Sequence, residues 1–402
     1  MQFVVTDELK TGMRLAKPIY NKNGVLLYDI NSKLTIPAIN SINNFGLIGI
    51  YILEPAEPVP PLSKEDIAFE QLQTVFIFKL RDVMDKIVSR QKITELSGLI
   101  DDIVRSYGRL DHRVNFNQNL RSPEDFVYKH AISTAILVAM ITSRLSFSIQ
   151  KQRTMIAAAL LYGVGYRYVP RQVLEKGEDL DKVDRESIRN SLEKGLDFLS
   201  NYRGDFDFFP RALALMQVFV DGDGGELNHL KPDEDLVQMR TLMRVADQFD
   251  RLTAMNIGHY PVSEIEAIRV LDKNPTLYHP VYVSTLCECI HICPDAARVD
   301  FTDGTKGIVL VENPIDFMHP VVLRFSDNQI YDLTKPAHQK KIQIKDIMKT
   351  MDNRVKMDKE TIKQFVPDKR LQELTRIFRQ ALRENEKYSG KASVGNLVSH
   401  LS

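Results

Sequence analysis

Apolar positions change their spacing several times along this chain, and each change marks a new kind of element. Over residues 1–55 short β-rich runs ("FVV", "GMRLAKPIY", "VLLY", "IGIYIL") alternate with turn signals, and Asn23-Gly24 before "VLLY" predicts a hairpin. "IPAINSINNFG" predicts a short helix ended by Gly46, which makes 1–55 a small α+β module. Four prolines within "EPAEPVPPL", residues 54–62, exclude helix and central strand, so 56–63 is a stiff linker and a domain boundary. Ser63 with Asp66 then supplies a capping-box start. After it Leu72, Val75, Phe76, Leu80, Val83, Met84 and Ile87 recur at helical spacing.

Residues 64–113 therefore read as long connecting helices and 114–295 as a helical domain. The periodicity predicts helices at 93–107, 124–145, 150–162, 184–202, 208–220, 236–256, 262–272 and 279–292. Period 2 returns over 296–336, where "ARVDFTDGTKGIVLVENP" gives two β-rich runs around Asp303-Gly304 and "HPVVLRF" a third, predicting a β-meander. Residues 337–402 are charged. Leu371, Leu374, Phe378 and Leu382 form a stripe in "LQELTRIFRQALRENEKY", predicting a helical tail that packs on the body or binds a partner. The expected fold is mainly α: a helical bundle between a small N-terminal α+β module and a C-terminal β-meander with a helical tail.

Composition narrows the function classes. The chain has 402 residues, 44% of them hydrophobic, enough for at least one large core. Its 53 basic and 53 acidic residues cancel, which argues against nucleic acid or an anionic membrane as partner. No leader-like N-terminus and no run of 18 apolar residues is read, so a cytoplasmic protein is expected. The three cysteines, Cys287, Cys289 and Cys293, all fall within "CECIHIC", too few and too clustered for a disulfide framework. On a continuous helix Cys287 would face with His291 and Cys289 with Cys293, so the four would not converge on one ion. "DGDGGE", residues 221–226, lacks the ligand order of a calcium loop, and His259-Tyr260-Pro261 reads as a turn.

The stretch "AAALLYGVGYRYVP", residues 157–170, is an Ala/Leu-rich helix end running into a Gly-broken loop closed by proline. With "DFVYKHAISTAILVAMI" before it, and "RESIRNSLEKGLDFL", "LALMQVFVDGDGGEL" and "MRVADQFDRLTA" after it, the order of landmarks from about 120 to 333 resembles the HD-GYP family of HD-superfamily cyclic di-GMP phosphodiesterases. Residues 4–53 are similar to a small domain often found upstream of that family. The resemblance implies an HD-type helical bundle and bacterial-type signalling. It also implies a cluster of iron or manganese ions held by His and Asp side chains.

His130 and Asp247 stand at ligand positions of that family. Tyr162 and Gly163 stand where its motif has His and Asp, Tyr166 where it has Lys, and Ser191 where a further His belongs. Met216 and Gln217 replace paired histidines. Two remaining ligands are too few for a polynuclear centre, since even a catalytic zinc keeps three protein ligands. A phenol with an ordinary pKa of about 10 is also a poor ligand for Fe(II) or Mn(II) at neutral pH. The expectation is a chain without metal cofactor and without catalytic residues, in which His130 is a core histidine. Asp247 is expected to pair with His130 if buried, or with Arg244 or Arg251 if exposed. Arg167, Arg171 and Arg211 are candidates for a phosphate-binding patch near the former cleft. The leading reading is a pseudoenzyme acting through protein partners or as a homodimer through 64–90. Alternatives are a receptor that binds cyclic di-GMP without cutting it, and an active phosphodiesterase with an atypical site.

Overall fold

The computed structural model describes residues 2–44, 49–54, 59, 62–116, 125–174, 176, 179–200, 207–221, 230–254 and 261–347. The apolar tail stripe, the 222–226 loop, Gly46, most of the proline-rich linker and the His259-Tyr260 pair lie outside them. The chain divides into two compact units, one running to Ile292 and the other starting at Cys293.

The first unit opens with β1 (Gln2–Val5), β2 (Arg14–Leu15), β3 (Ile19–Tyr20), β4 (Leu26–Tyr28), α1 (Ile36–Asn44) and β5 (Gly49–Leu53). β1, β5 and β2 form one antiparallel sheet in that order, and β3 pairs with β4 as the expected hairpin, with Gly24 at φ +76° in its turn. The single run expected over "GMRLAKPIY" is instead two strands, broken around Pro18, whose nitrogen has no hydrogen to give a ladder. Leu15, Leu34, Ala38, Ile42 and Ile52 close a small core of their own.

A long helix, α2 (Lys64–Val88), follows, and its first turn carries the capping box read from sequence. Asp66 N donates to Ser63 Oγ (3.1 Å) and Ser63 N to Asp66 Oδ2 (2.8 Å). On α2, Glu70 pairs with Lys17 at 2.6 Å and Gln71 Nε2 donates to Gly24 O, which ties the N-terminal module to the helix. The bundle continues with α3 (Leu96–Tyr107), α4 (Phe126–Arg144), α5 (Ile149–Leu161), a 3₁₀ segment (Tyr162–Tyr168) and α6 (Arg171–Leu174). It is completed by α7 (Lys182–Ser200), α8 (Phe209–Asp221), α9 (Glu234–Thr253), α10 (Glu264–Asp272) and α11 (Pro280–Cys289).

α4 lies at the centre, with every residue from His130 to Thr142 buried. Among the described residues it is also the one helix long and apolar enough to cross a membrane, although no such run was read from the sequence. Of its apolar window 83% is buried inside the protein, so it is apolar on all sides because helices surround it. α5 packs along it, and its Ala157, Ala158 and Ala159 are all fully buried.

α11 ends at Cys289, earlier than the expected 292. Ile290 turns extended (φ −128°, ψ 154°) because Val114 bridges there, its N–H donating to Cys289 O at 3.1 Å and its carbonyl accepting from His291 N–H at 3.0 Å. The helical-face argument for Cys287 with His291 therefore does not apply, since His291 lies beyond the helix.

The second unit is a five-stranded antiparallel sheet in the order β10-β6-β7-β8-β9. Its strands are β6 (Arg298–Phe301), β7 (Lys306–Val311), β8 (Val321–Arg324), β9 (Gln329–Asp332) and β10 (Ile344–Ile347), with a short α12 (Pro336–Gln339) before the last. Gly304, at φ +81°, turns β6 into β7 as read. The correction is β10: residues 344–347 fall within the expected helical tail, yet Ile344 and Ile347 are buried in the ladder with β6. Charged neighbours hid that strand, since Lys345 and Asp346 sit between its two inward isoleucines.

Candidate functional site

At the end of α5 the chain tightens into the 3₁₀ segment, and the reason is local packing. A Cβ on Gly165 would fall 2.2 Å from Ser191 O, and one on Gly195 would fall 2.5 Å from Gly165 N, so the segment and α7 touch backbone to backbone. Val169 then turns extended (φ −73°, ψ 130°), as a residue before proline must, and Pro170 closes the segment. This contact holds Tyr162 inward, with 2% of its surface exposed.

Tyr162 meets two side-chain sets there. From α4 comes His130, 3% exposed; from α9 come Asp247, Asp250 and Arg251, which share one face because they are three and four residues apart. His130 Nδ1 lies 2.5 Å from Asp250 Oδ2, and its Nε2 lies 2.8 Å from Asp247 Oδ1 and 2.6 Å from the Tyr162 hydroxyl. The Tyr162 hydroxyl donates to Asp247 Oδ1. Arg251 Nε donates to Asp247 Oδ2 at 2.8 Å, while one of its terminal nitrogens donates to the hydroxyls of Tyr162 (3.1 Å) and Tyr166 (3.2 Å). Two aromatic contacts hold the tyrosines: Phe219 of α8 meets Tyr162 edge-on at 4.8 Å, and Phe126 meets Tyr166 at 5.0 Å.

The electrostatics follow from this geometry. Burial alone would raise the Asp247 carboxyl, but Arg251 and His130 outweigh it and hold the group far below the usual carboxylate range. Burial, reinforced by the Asp247 charge, pushes the Tyr162 phenol well above its ordinary value, so it stays a neutral donor. Burial also works against the Arg251 charge, but Asp247 beside it more than compensates.

These residues do not fit the iron or manganese cluster that the resemblance implies. Both oxygens of Asp247 and the Nε2 of His130 are engaged by one another, by Tyr162 and by Arg251. Among the described residues no group of three or more His, Cys, Asp or Glu side chains is arranged to hold a metal ion. Asp247 does not choose between the two expected pairings: it is buried against His130 and bound to Arg251 at once.

The other singled-out residues lie apart from this network. Gly163 is buried, and a Cβ there would meet ordinary contacts, the nearest at 3.4 Å on the Tyr166 ring. Ser191 on α7 presents its carbonyl to Gly165. Met216 on α8 is fully buried and Gln217 beside it is exposed. Two of the arginine candidates are in ion pairs: Arg167 pairs with Asp85 of α2 at 2.7 Å, and Arg211 pairs with Asp233 (2.7 Å) and Asp235 (3.0 Å) at the start of α9. Arg171 is exposed on α6.

Asp250 is the residue that sequence reading missed. It is fully buried, and its signal was its place three residues after Asp247, one turn along the same face.

Residues 115–280 match the HD domain family. Among solved structures, "Bd1817, a HDG"Y"P protein from Bdellovibrio bacteriovorus" aligns over 71% of this chain and 97% of its own at 11% identity, with a TM-score of 0.41. No curated protein matches. The helical bundle of this chain thus carries an HD domain over residues 115–280, in keeping with the HD-GYP resemblance of its sequence.

Proposed function

We propose that this chain is a catalytically inactive, HD-GYP-like signalling and interaction module in cyclic-dinucleotide regulation, working in the cytoplasm without a metal cofactor. One observation carries the reading: the side chains left at the family's ligand positions, His130 and Asp247, are bound to a tyrosine and an arginine of the same chain. Hydrolysis of a phosphodiester by metal ions needs ligands free to hold the ions, and here His130 Nε2 and both oxygens of Asp247 are already engaged. The pairing of Arg167 and Arg211 with carboxylates favours a protein-binding role over a nucleotide receptor, because those guanidinia would have to give up partners to take a phosphate. Protein partners, or a second copy through α2, are the contacts such a module would use.

The test is metal analysis of the purified full chain, with cyclic di-GMP hydrolysis and calorimetric binding measured on the same sample. The expected result is neither stoichiometric iron or manganese nor turnover. Turnover with bound metal would overturn the reading, and binding without turnover would replace it with the receptor.

A further inference from the structure

The Arg251 guanidinium sits where it does three things at once. It holds Asp247 Oδ2 through Nε, and through a terminal nitrogen it reaches the hydroxyls of both Tyr162 and Tyr166. Its charge therefore lies across the face of the only oxygen of Asp247 that Tyr162 and His130 leave, while its side chain remains 36% exposed. Tyr162 closes the other side, its ring fixed by Phe219.

We infer that Arg251 is the resident counter-cation of this buried cluster, and that Arg251, rather than the missing donors at 162 and 163, is what keeps a divalent cation out. This rests on the reading of the site as metal-free for its baseline, and deepens it. The physical reason is like-charge repulsion at contact distance in a poorly solvated site. Restoring donors around Asp247 Oδ1 leaves a full positive charge hydrogen-bonded to Oδ2, next to any ion that used Asp247 as a ligand. At position 163 an added Cβ meets nothing closer than 3.4 Å, so the backbone there does not exclude a side chain at its first atom. The guanidinium is thus the obstacle that spacing alone would not reveal, since Arg251 lies four residues after Asp247 and passes for an ordinary helical ion pair.

The experiment titrates manganese(II) alone into three full-length proteins, by calorimetry and by metal content after gel filtration, with far-UV circular dichroism to verify folding. They are the parent, the Tyr162→His/Gly163→Asp variant, and that variant with Arg251→Ala added. The expected outcome is no uptake by the parent, and affinity at least about tenfold higher with Arg251 removed than with it retained. Equal behaviour of the two variants, whether both load manganese or neither does, overturns the inference. Uptake by the parent itself is a separate result that sinks the metal-free reading.

A second readout needs no restored donors. Millimolar manganese should raise the melting temperature of Arg251→Ala and leave those of the parent and of Arg251→Lys unchanged. A rise in all three, or in none, counts against the counter-cation role.

Discussion

Replacing Tyr162 with Phe removes one oxygen and leaves the ring on Phe219. That oxygen donates to Asp247, lies 2.6 Å from His130 Nε2 and accepts from Arg251 at 3.1 Å, all inside a site where Tyr162 is 2% exposed. A buried hydrogen bond to a charged group contributes about 1.5–3 kcal/mol net. Asp247 Oδ1 keeps His130 at 2.8 Å and Oδ2 keeps Arg251 at 2.8 Å, so the carboxylate is not stranded and the lower half of that range applies, about 2 kcal/mol. For a domain of this size that corresponds to a fall in melting temperature of roughly 4–8 °C. Urea unfolding followed by far-UV circular dichroism at pH 7, with differential scanning calorimetry beside it, measures both quantities. The control is Tyr166→Phe: its hydroxyl takes Arg251 at 3.2 Å from a partly exposed position, so its loss should cost less than about 1 kcal/mol. If Tyr162→Phe stays within about 0.5 kcal/mol of the parent, or if Tyr166→Phe costs as much, the hydrogen-bonded plug is not what stabilises this site.

Gly165→Ala should destabilise the bundle by about 3 kcal/mol or more, because its methyl would lie 2.2 Å from the Ser191 carbonyl, whereas Gly163→Ala, with 3.4 Å to spare, should stay within about 1 kcal/mol; thermal melting of the pair decides. The depressed carboxyl of Asp247 contributes stability that is complete above the unfolded-state value of about pH 4 and is lost as pH falls below it, so the stability gap between parent and Asp247→Asn should shrink in acid. The raised phenol of Tyr162 has the opposite sign: the gap between parent and Tyr162→Phe should hold below about pH 10 and shrink above it. Burial pushes the thiols of Cys287 and Cys289 up to about 12, so iodoacetamide at pH 8 should label the folded protein at least about tenfold more slowly than the urea-unfolded one.

Helical spacing made most of the bundle legible, and the exceptions are instructive. Ser63 and Asp66 announce α2 because the capping box is a local contract between residues three apart, and Ile36–Asn44 and Phe126–Arg144 emerge within a residue or two of their predicted ends. β10 was missed because its buried residues, Ile344 and Ile347, have charged neighbours and gain their identity only from pairing with β6. The early end of α11 was missed for a similar reason: the bridge to Val114 is made by a residue far off in sequence. At the site, the residues at the family's ligand positions could be read by position and Asp250 carried a signal in its spacing from Asp247, but the triple role of Arg251 could not be read, since it depends on what the 3₁₀ segment brings against α9.

The two glycines of "YGVGY" answer to different constraints. Gly165 is constrained by backbone: any side chain there must push away the Ser191 and Leu192 backbone of α7. Position 163 is constrained by nothing so close, and a Cβ would make ordinary contacts there. A demand for packing therefore acts on Gly165 whatever the protein does, while a demand at 163 exists only if something has to be bound there. Two acidic groups are buried in the site, Asp247 and Asp250, and an unpaired buried charge costs several kcal/mol. Arg251, one turn along the same helix from Asp247, sets a positive charge beside it while keeping part of its surface in water, and His130 meets Asp250.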